Sequence, residues 1–75
     1  MVDHNDSPAI YPSQLDSLMK LLTEDENIQK HWVIRREDFT DKNQKQYKLI
    51  LALLFNKRYI VLNKVFEGWG IRRTS

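Results

Sequence analysis

The chain has 75 residues, of which 41% are hydrophobic and 29% charged; it has no cysteine and a formal net charge of +2. A chain of this length forms one domain at most and buries only about 60% of the surface that its unfolded form exposes. The composition excludes disulfides, and the two histidines, His4 and His31, have no ligand cluster around them that would suggest zinc binding. We therefore expect a small domain stabilised by apolar burial, alone or against a second copy, with no metal and no cofactor.

Residues 1–12 are polar, contain two prolines, and are expected to form a flexible tail. Ser13 then resembles a helix N-cap, with Asp16 three residues later. A first helix is predicted over residues 14–22. Its apolar stripe at helical spacing consists of Leu15, Leu18, Met19 and Leu22.

A second, short helix is predicted over residues 24–32. Thr23 and Glu26 form a capping-box pattern, and the three acids at 24–26 favour a helix start. In an alternative interpretation, the first helix continues through this segment. Residues 33–39 have no clear period and are expected to form a connector or a short extended piece.

A third helix is predicted over residues 40–55, where Thr40 and Asp41 favour its start. Past its first two turns this helix is apolar nearly all round, and a helix of that kind belongs at the centre of a fold or at an interface. One stripe consists of Tyr47, Ile50, Leu51 and Leu54, and a second consists of Leu49, Leu53 and Phe55.

A fourth helix is predicted over residues 58–68, with apolar stripes through Leu62 and Trp69 and with Gly68 and Gly70 as stop signals. Trp69 is the last residue of both stripes, so we expect its ring to be packed.

The predicted fold is a mostly α-helical, small single-domain bundle of three to four helices over residues 13–70, followed by a flexible basic tail over residues 71–75. The alternative is an α+β fold in which a β-hairpin spans residues 47–66, because the segment after Asn56 and Lys57 is rich in β-branched residues. Asn-Lys is a poor two-residue hairpin turn, so we favour the helices.

The N-terminal residues do not resemble a signal peptide, since no basic segment precedes an apolar one. The longest apolar run, residues 49–55, is far shorter than the stretch of about 20 residues that a membrane span needs. We expect a cytoplasmic protein that has no membrane partner.

No group of residues in the sequence suggests catalysis. His31 beside Trp32 has the chemistry of a general base, but a single histidine next to an aromatic residue is more often structural. The acidic run 24–26 is better explained as a helix start, and no glycine-rich phosphate loop is present. We predict a non-enzyme with no catalytic residue and no small-molecule substrate.

The charges are divided unevenly along the chain. Residues 1–40 carry four Lys or Arg and eight Asp or Glu, a net charge of −4, whereas residues 41–75 carry eight and two, a net charge of +6. Such a division indicates either an anionic partner or attraction between the two halves, within one monomer or across a dimer. We favour attraction between the halves.

The basic half still suggests a nucleic-acid surface, because clustered cations can neutralise phosphates. Residues 51–65 also have a faint helix-turn-helix spacing, with Leu51 and Ala52 packed and Asn56 left-handed at the turn. The exposed reading face would then be Arg58, Tyr59, Ile60, Asn63 and Lys64. Three lysines spaced along one side of the third helix complete the candidate nucleic-acid-binding residues, which are Lys42, Lys45, Lys48, Lys57, Arg58, Asn63 and Lys64.

The third and fourth helices have more apolar surface than two short helices can cover, and an exposed apolar patch marks an interaction site. The candidate partner-binding residues are Leu49, Leu53, Tyr59, Ile60, Phe66 and Trp69. We predict a non-enzymatic protein-interaction or regulatory module that forms a homodimer. A small DNA-binding regulator is the alternative function. If no interface exists, the apolar surface is instead covered by loops and tails through Ile10, Tyr11, Phe39 and Ile71.

Overall fold

Helices make up 69% of the computed structural model, which describes residues 11–74. The elements in chain order are α1 (Pro12–Glu24), α2 (Glu26–Gln29), β1 (Trp32–Val33), a 3-10 helix (Arg36–Asp38), α3 (Asp41–Gln44), α4 (Tyr47–Phe55), α5 (Tyr59–Trp69) and β2 (Arg72–Arg73). The predicted mostly α-helical single domain is confirmed. The alternative hairpin over residues 47–66 is wrong, because α4 and α5 occupy that segment.

Helix α1 begins earlier than predicted, at Pro12. Proline suits the first helical position, where its missing N–H would have no partner. Tyr11 is the N-cap residue, and its backbone N–H donates a hydrogen bond to Gln14 Oε1 at 2.9 Å. Ser13 therefore lies inside the helix and is not its cap. The rest of the predicted N-terminal tail, residues 1–10, lies outside the described residues.

Asp25 separates α1 from α2 with extended backbone and is the N-cap of α2. Its Oδ1 accepts hydrogen bonds from the backbone N–H groups of Asn27 at 2.8 Å and Ile28 at 3.2 Å. Thr23, the predicted cap, stays within α1, and its hydroxyl donates to the carbonyl oxygen of Met19 at 2.8 Å. The second helix is therefore a single turn that Asp25 starts.

Strands β1 and β2 pair antiparallel, with Trp32 opposite Arg73. Ile71, immediately before β2, is buried in the core. The prediction of a flexible tail over residues 71–75 is thereby corrected for residues 71–74, which are part of the packed fold. Strands of two residues are too short to show a periodicity, so the sequence carries no signal for this pairing.

The predicted helix over residues 40–55 is two helices, α3 and α4, separated by a turn at Lys45 and Gln46. Most helical stability in proteins comes from packing an apolar face, and this segment has no apolar residue before Tyr47. The polar side chains of α3 instead bond the preceding connector, as Gln44 Nε2 does with the carbonyl oxygen of Phe39 at 2.9 Å.

A tight turn of Asn56, Lys57 and Arg58 joins α4 to α5. Lys57 adopts the left-handed conformation, with φ at 56°. The prediction that Asn56 takes this conformation is wrong, because its φ is −89° and its side-chain amide donates to the carbonyl oxygen of Ala52 at 2.8 Å. That bond holds Asn56 at the end of α4 and leaves the left-handed position to Lys57.

Helix α5 ends at Gly70, whose φ of 76° suits glycine, as predicted. Gly68 lies within the helix and does not end it. The core surrounds the inner face of α5, where Phe66 is fully buried and Trp69 packs beside it with ring centroids 5.7 Å apart. Trp69 also meets Phe39 edge-on at 5.4 Å, so the expected packing of its ring is confirmed. The buried core residues are Leu15, Leu18, Leu22, Ile28, Trp32, Ile34, Phe39, Ile50, Leu54, Leu62, Phe66 and Ile71.

Candidate interaction site

The structure divides the six predicted partner-binding residues between core and surface. Phe66 is fully buried at the centre of the core, so its assignment to a partner-binding surface is wrong. Leu49 and Ile60 are exposed, as a partner-binding surface requires. The half-buried residues, which pack against the core, are Leu53, Tyr59 and Trp69.

Loops and the C-terminal strand cover part of the surface that the sequence left open. Phe39 and Ile71 are both buried, and Phe39 lies against Trp69. The alternative of covering by loops and tails therefore holds for the C-terminal end of α5. Tyr11 is exposed and covers little, and Ile10 lies outside the described residues.

Part of the apolar surface that stays exposed lies at the turn between α4 and α5. Phe55, the last residue of α4, is 67% exposed, and Ile60, the second residue of α5, is 76% exposed. These are the two most exposed large apolar side chains among residues 11–74. A scattered exposed side chain needs no explanation, but two at one turn form a candidate contact surface.

Phe55 lies on a shallow depression of about 330 Å³ between α1 and this turn. Leu21 of α1, which is 38% exposed, contributes to the same depression. The lining residues are Leu21, Glu24, Asp25, Leu54, Phe55, Lys57 and Tyr59. The exposed members of this set, Leu21, Glu24, Phe55 and Lys57, together with Ile60, which follows Tyr59 in the chain but does not line the depression, are called the corner surface below.

A hydrogen bond across the depression fixes its shape. The Tyr59 hydroxyl donates to Asp25 Oδ2 at 2.8 Å, while Asp25 Oδ1 caps α2. This hydrogen bond to the carboxylate raises the pKa of the Tyr59 hydroxyl above its ordinary value, because only the neutral phenol can donate and a phenolate would meet a negative charge. The first turn of α5 is thereby held against the junction of α1 and α2.

The two exposed charges of the corner surface both lie at helix ends. Glu24 is the last residue of α1, and Lys57 lies between the end of α4 and the first turn of α5, which contains no acidic residue. A helix dipole favours cations at the C-terminus and anions at the N-terminus. Glu24 is therefore unfavourably placed for α1, whereas Lys57 is favourably placed for α4 and unfavourably placed for α5.

Leu21 and Phe55 are surface residues that the sequence did not assign to the site. The sequence has little signal for Leu21, because it stands three residues after the buried Leu18, at a spacing that helical residues of one face share. Phe55 had the weak signal of a large apolar residue at a helix end, followed directly by the polar Asn56. Which of the apolar residues of α4 face outward depends on tertiary packing.

The six predicted nucleic-acid-binding cations are all exposed. Within the described part of the chain, none of them forms an ion pair with a carboxylate. Lys42, Lys45 and Lys48 do not share one helix face as predicted, since the chain turns between α3 and α4. The unpaired cations are Lys42, Lys45, Lys48, Lys57, Arg58 and Lys64.

The five residues of the predicted helix-turn-helix reading face are not all free to contact DNA. Tyr59 bonds Asp25, and Asn63 Oδ1 accepts a hydrogen bond from Trp32 Nε1 at 2.7 Å. Two of the five reading-face residues are therefore engaged within the fold. Ala52, which this motif needs as a packed residue, is exposed.

The ion pairs of the described residues each stay within one half of the chain. Arg36 pairs with Asp16 in the acidic half, and Arg73 pairs with Glu67 in the basic half at 3.1 Å. Among residues 11–74, no ion pair joins the two halves. The opposite net charges of the two halves therefore do not lead to ion pairs between the halves within the described part of the chain.

Residues 11–74 lack the features of two other kinds of site. None of the helices there combines the length and apolarity that crossing a membrane requires. No three His, Asp or Glu side chains of the same range are grouped closely enough to hold a metal ion.

Comparison with known proteins finds no matching family model, and neither the curated proteins nor the solved structures include a significant match to this chain. The function is therefore inferred from the residues and their geometry.

Proposed function

We propose that this protein is a non-enzymatic interaction module that binds another protein chain through the corner surface. The observation that carries the proposal is the exposure of Phe55 and Ile60 on either side of one short turn. Transfer of apolar surface out of water contributes about 25 cal/mol per Å². A partner that covers both side chains therefore gains from an area that the folded monomer leaves in water.

Contacts within the fold support the proposal, because they hold two residues of the depression in place. Tyr59 is bonded to Asp25, and Leu54, which also lines the depression, is buried in the core. A surface that is already ordered loses little conformational entropy when a partner binds. An aromatic residue in a pocket at the centre of an interface is a common binding hot spot, and Phe55 fits that role.

Site-specific photo-crosslinking in the protein's native cells tests the proposal. A photoreactive phenylalanine analogue replaces Phe55 in one variant, Ile60 in a second, and Lys30, an exposed residue outside the corner surface, in a control. Protein adducts at positions 55 and 60 but not at 30 are expected, and an adduct with a second copy counts equally. Adducts that are absent, or equal at all three positions, contradict the proposal.

Nucleic-acid binding is a second candidate, and one observation favours it. Residues 42–66 contain six cations and no acid, and these cations have no carboxylate partner among the described residues. Binding to random duplex DNA should then weaken steeply with salt, because each neutralised phosphate releases counterions. The double variant Lys45→Glu with Lys48→Glu should bind more weakly without losing stability. No binding at low salt would rule this candidate out.

A further inference from the structure

We infer that the chain bound at the corner surface is a second copy of this protein, placed by a two-fold axis so that Glu24 of each copy pairs with Lys57 of the other. The inference rests on the proposed function and names its partner. In a two-fold dimer the same surface meets itself, so it must be self-complementary. The corner surface has this property, because it carries one acid and one cation around apolar side chains.

The charges at the corner surface are available for a second copy. Glu24 and Lys57 line the same depression, yet neither forms an ion pair within the described residues. Asp25, the other acid of the depression, is already bonded to Tyr59 and to the start of α2. Glu24 is therefore the carboxylate of the depression that remains open to a cation from outside.

The position of each charge adds to this argument. Glu24 is an acid at the negative end of α1, and Lys57 lies between the negative end of α4, which favours a cation, and the positive end of α5, which does not. Helix α2 follows Glu24, but it is only four residues long and is capped by Asp25. A second copy supplies each side chain with an ion-pair partner that the described residues of its own chain do not provide.

The apolar centre of such a dimer would consist of Leu21 and Phe55 from both copies, which line the same depression. This surface is small, so the contact belongs at the lower end of interface sizes, below about 1,200 Å². An interface of this size suits a weak dimer, with a dissociation constant on the order of micromolar.

Sedimentation equilibrium of the full chain, from about 5 to 500 µM, brackets that affinity. Glu24→Lys alone and Lys57→Glu alone each place like charges opposite one another, and each should weaken the dimer about tenfold or more. In an equimolar mixture of the two variants the contacts are again opposite in sign, so a mixed dimer of near wild-type affinity should form. Phe55→Ser should also weaken the dimer about tenfold, whereas the control Lys30→Glu should not.

The results separate this inference from the proposed function. A wild-type monomer at the highest concentration overturns the second copy as the partner, while a foreign protein crosslinked at position 55 would still support the proposed function. A dimer that persists in Phe55→Ser and in both charge reversals also overturns the inference, because the copies then meet on another face. Charge reversals that do not recover on mixing overturn the Glu24–Lys57 pairing. Circular dichroism checks that each variant is folded.

Discussion

Tyr59, in the first turn of α5, donates a hydrogen bond to the Asp25 carboxylate at 2.8 Å, although the two residues are 34 positions apart. The other oxygen of the same carboxylate caps α2. One side chain thus starts a helix and also holds the beginning of α5. Since both residues line the depression of the corner surface, this contact couples the stability of the fold to the shape of the candidate site.

The first prediction concerns Tyr59→Phe, which removes this hydrogen bond and keeps the ring. The hydrogen bond raises the pKa of the hydroxyl above 10.0 in the folded chain, so the folded state keeps its proton at pH values where the unfolded state has lost it. The stability that the group contributes is therefore complete below the unfolded pKa and is lost as the pH rises through the folded pKa.

Urea denaturation of wild type and Tyr59→Phe, from neutral pH to about pH 11, measures this effect. The variant should be the less stable protein at neutral pH, and the difference should shrink above about pH 10. Comparing the two proteins cancels the titration of the other tyrosines and the lysines. A difference that stays constant over the whole range would contradict the assigned hydrogen bond.

The second prediction concerns the double role of Asp25. Asp25→Ala removes the cap of α2 as well as the acceptor of Tyr59, and loss of an N-cap costs about 0.5–2 kcal/mol. Asp25→Asn keeps a good capping side chain, so it should cost clearly less. Urea denaturation gives the free energy of unfolding of both variants. Equal losses for alanine and asparagine would show that the cap contributes little.

The sequence predicted the helical class of the fold because its long apolar stripes have a helical period. The stripe of α1 and the glycine that ends α5 were both found from local patterns. The short elements were not predictable in this way. Asp25, not Thr23, starts α2, because the position of the cap depends on where the chain turns in three dimensions.

The candidate site was only partly predictable for a related reason. The sequence shows that α4 and α5 have more than one apolar face, but not which face the rest of the chain covers. Phe39 covers Trp69 at the end of α5 through a contact between distant segments, whereas Phe55 is left exposed. Surplus apolar residues thus predict that a surface exists, and tertiary packing decides where it lies.

The third prediction concerns the C-terminal strand, whose packing the sequence did not predict. Ile71 is buried, so Ile71→Ala should lower the free energy of unfolding by about 2–4 kcal/mol. Its neighbour Arg72 is exposed on β2, and Arg72→Ala should stay within about 0.5 kcal/mol of wild type. Thermal denaturation followed by circular dichroism measures both. A wild-type melting curve for Ile71→Ala would mean that residues 71–74 do not pack in solution.

The fourth prediction contrasts Trp69 with Phe55, two aromatic residues of neighbouring helices. Trp69 packs between Phe66 and Phe39, and truncation of a packed tryptophan costs about 3 kcal/mol or more. Small domains have a total stability of about 5 kcal/mol, so Trp69→Ala should be largely unfolded near body temperature. Phe55→Ser, on the exposed side of α4, should melt close to wild type. If Phe55→Ser were the less stable variant, Phe55 would belong to the core and the corner surface would be misassigned.

The last prediction separates folding from association at a single position. Lys57 has a φ of 56°, a conformation that costs a non-glycine residue about 1–2 kcal/mol, and glycine adopts it freely. Allowing for the greater freedom of glycine in the unfolded chain, Lys57→Gly should stabilise the monomer by about 0.5–1 kcal/mol. The same change removes the cation that is proposed to pair with Glu24 of a second copy, so the dimer should weaken while the fold gains stability.

Asn56→Gly is the matched control for Lys57→Gly, since it places glycine one residue earlier and keeps the lysine. Asn56 has a φ of −89° and bonds the carbonyl oxygen of Ala52, so glycine there should lower stability and leave the charge pairing intact. Urea denaturation at low protein concentration gives the monomer stabilities, and sedimentation gives the dissociation constants. A general defect in folding would change both quantities in the same direction. Opposite changes in Lys57→Gly, absent in Asn56→Gly, would show that Lys57 serves association at the expense of the turn it occupies.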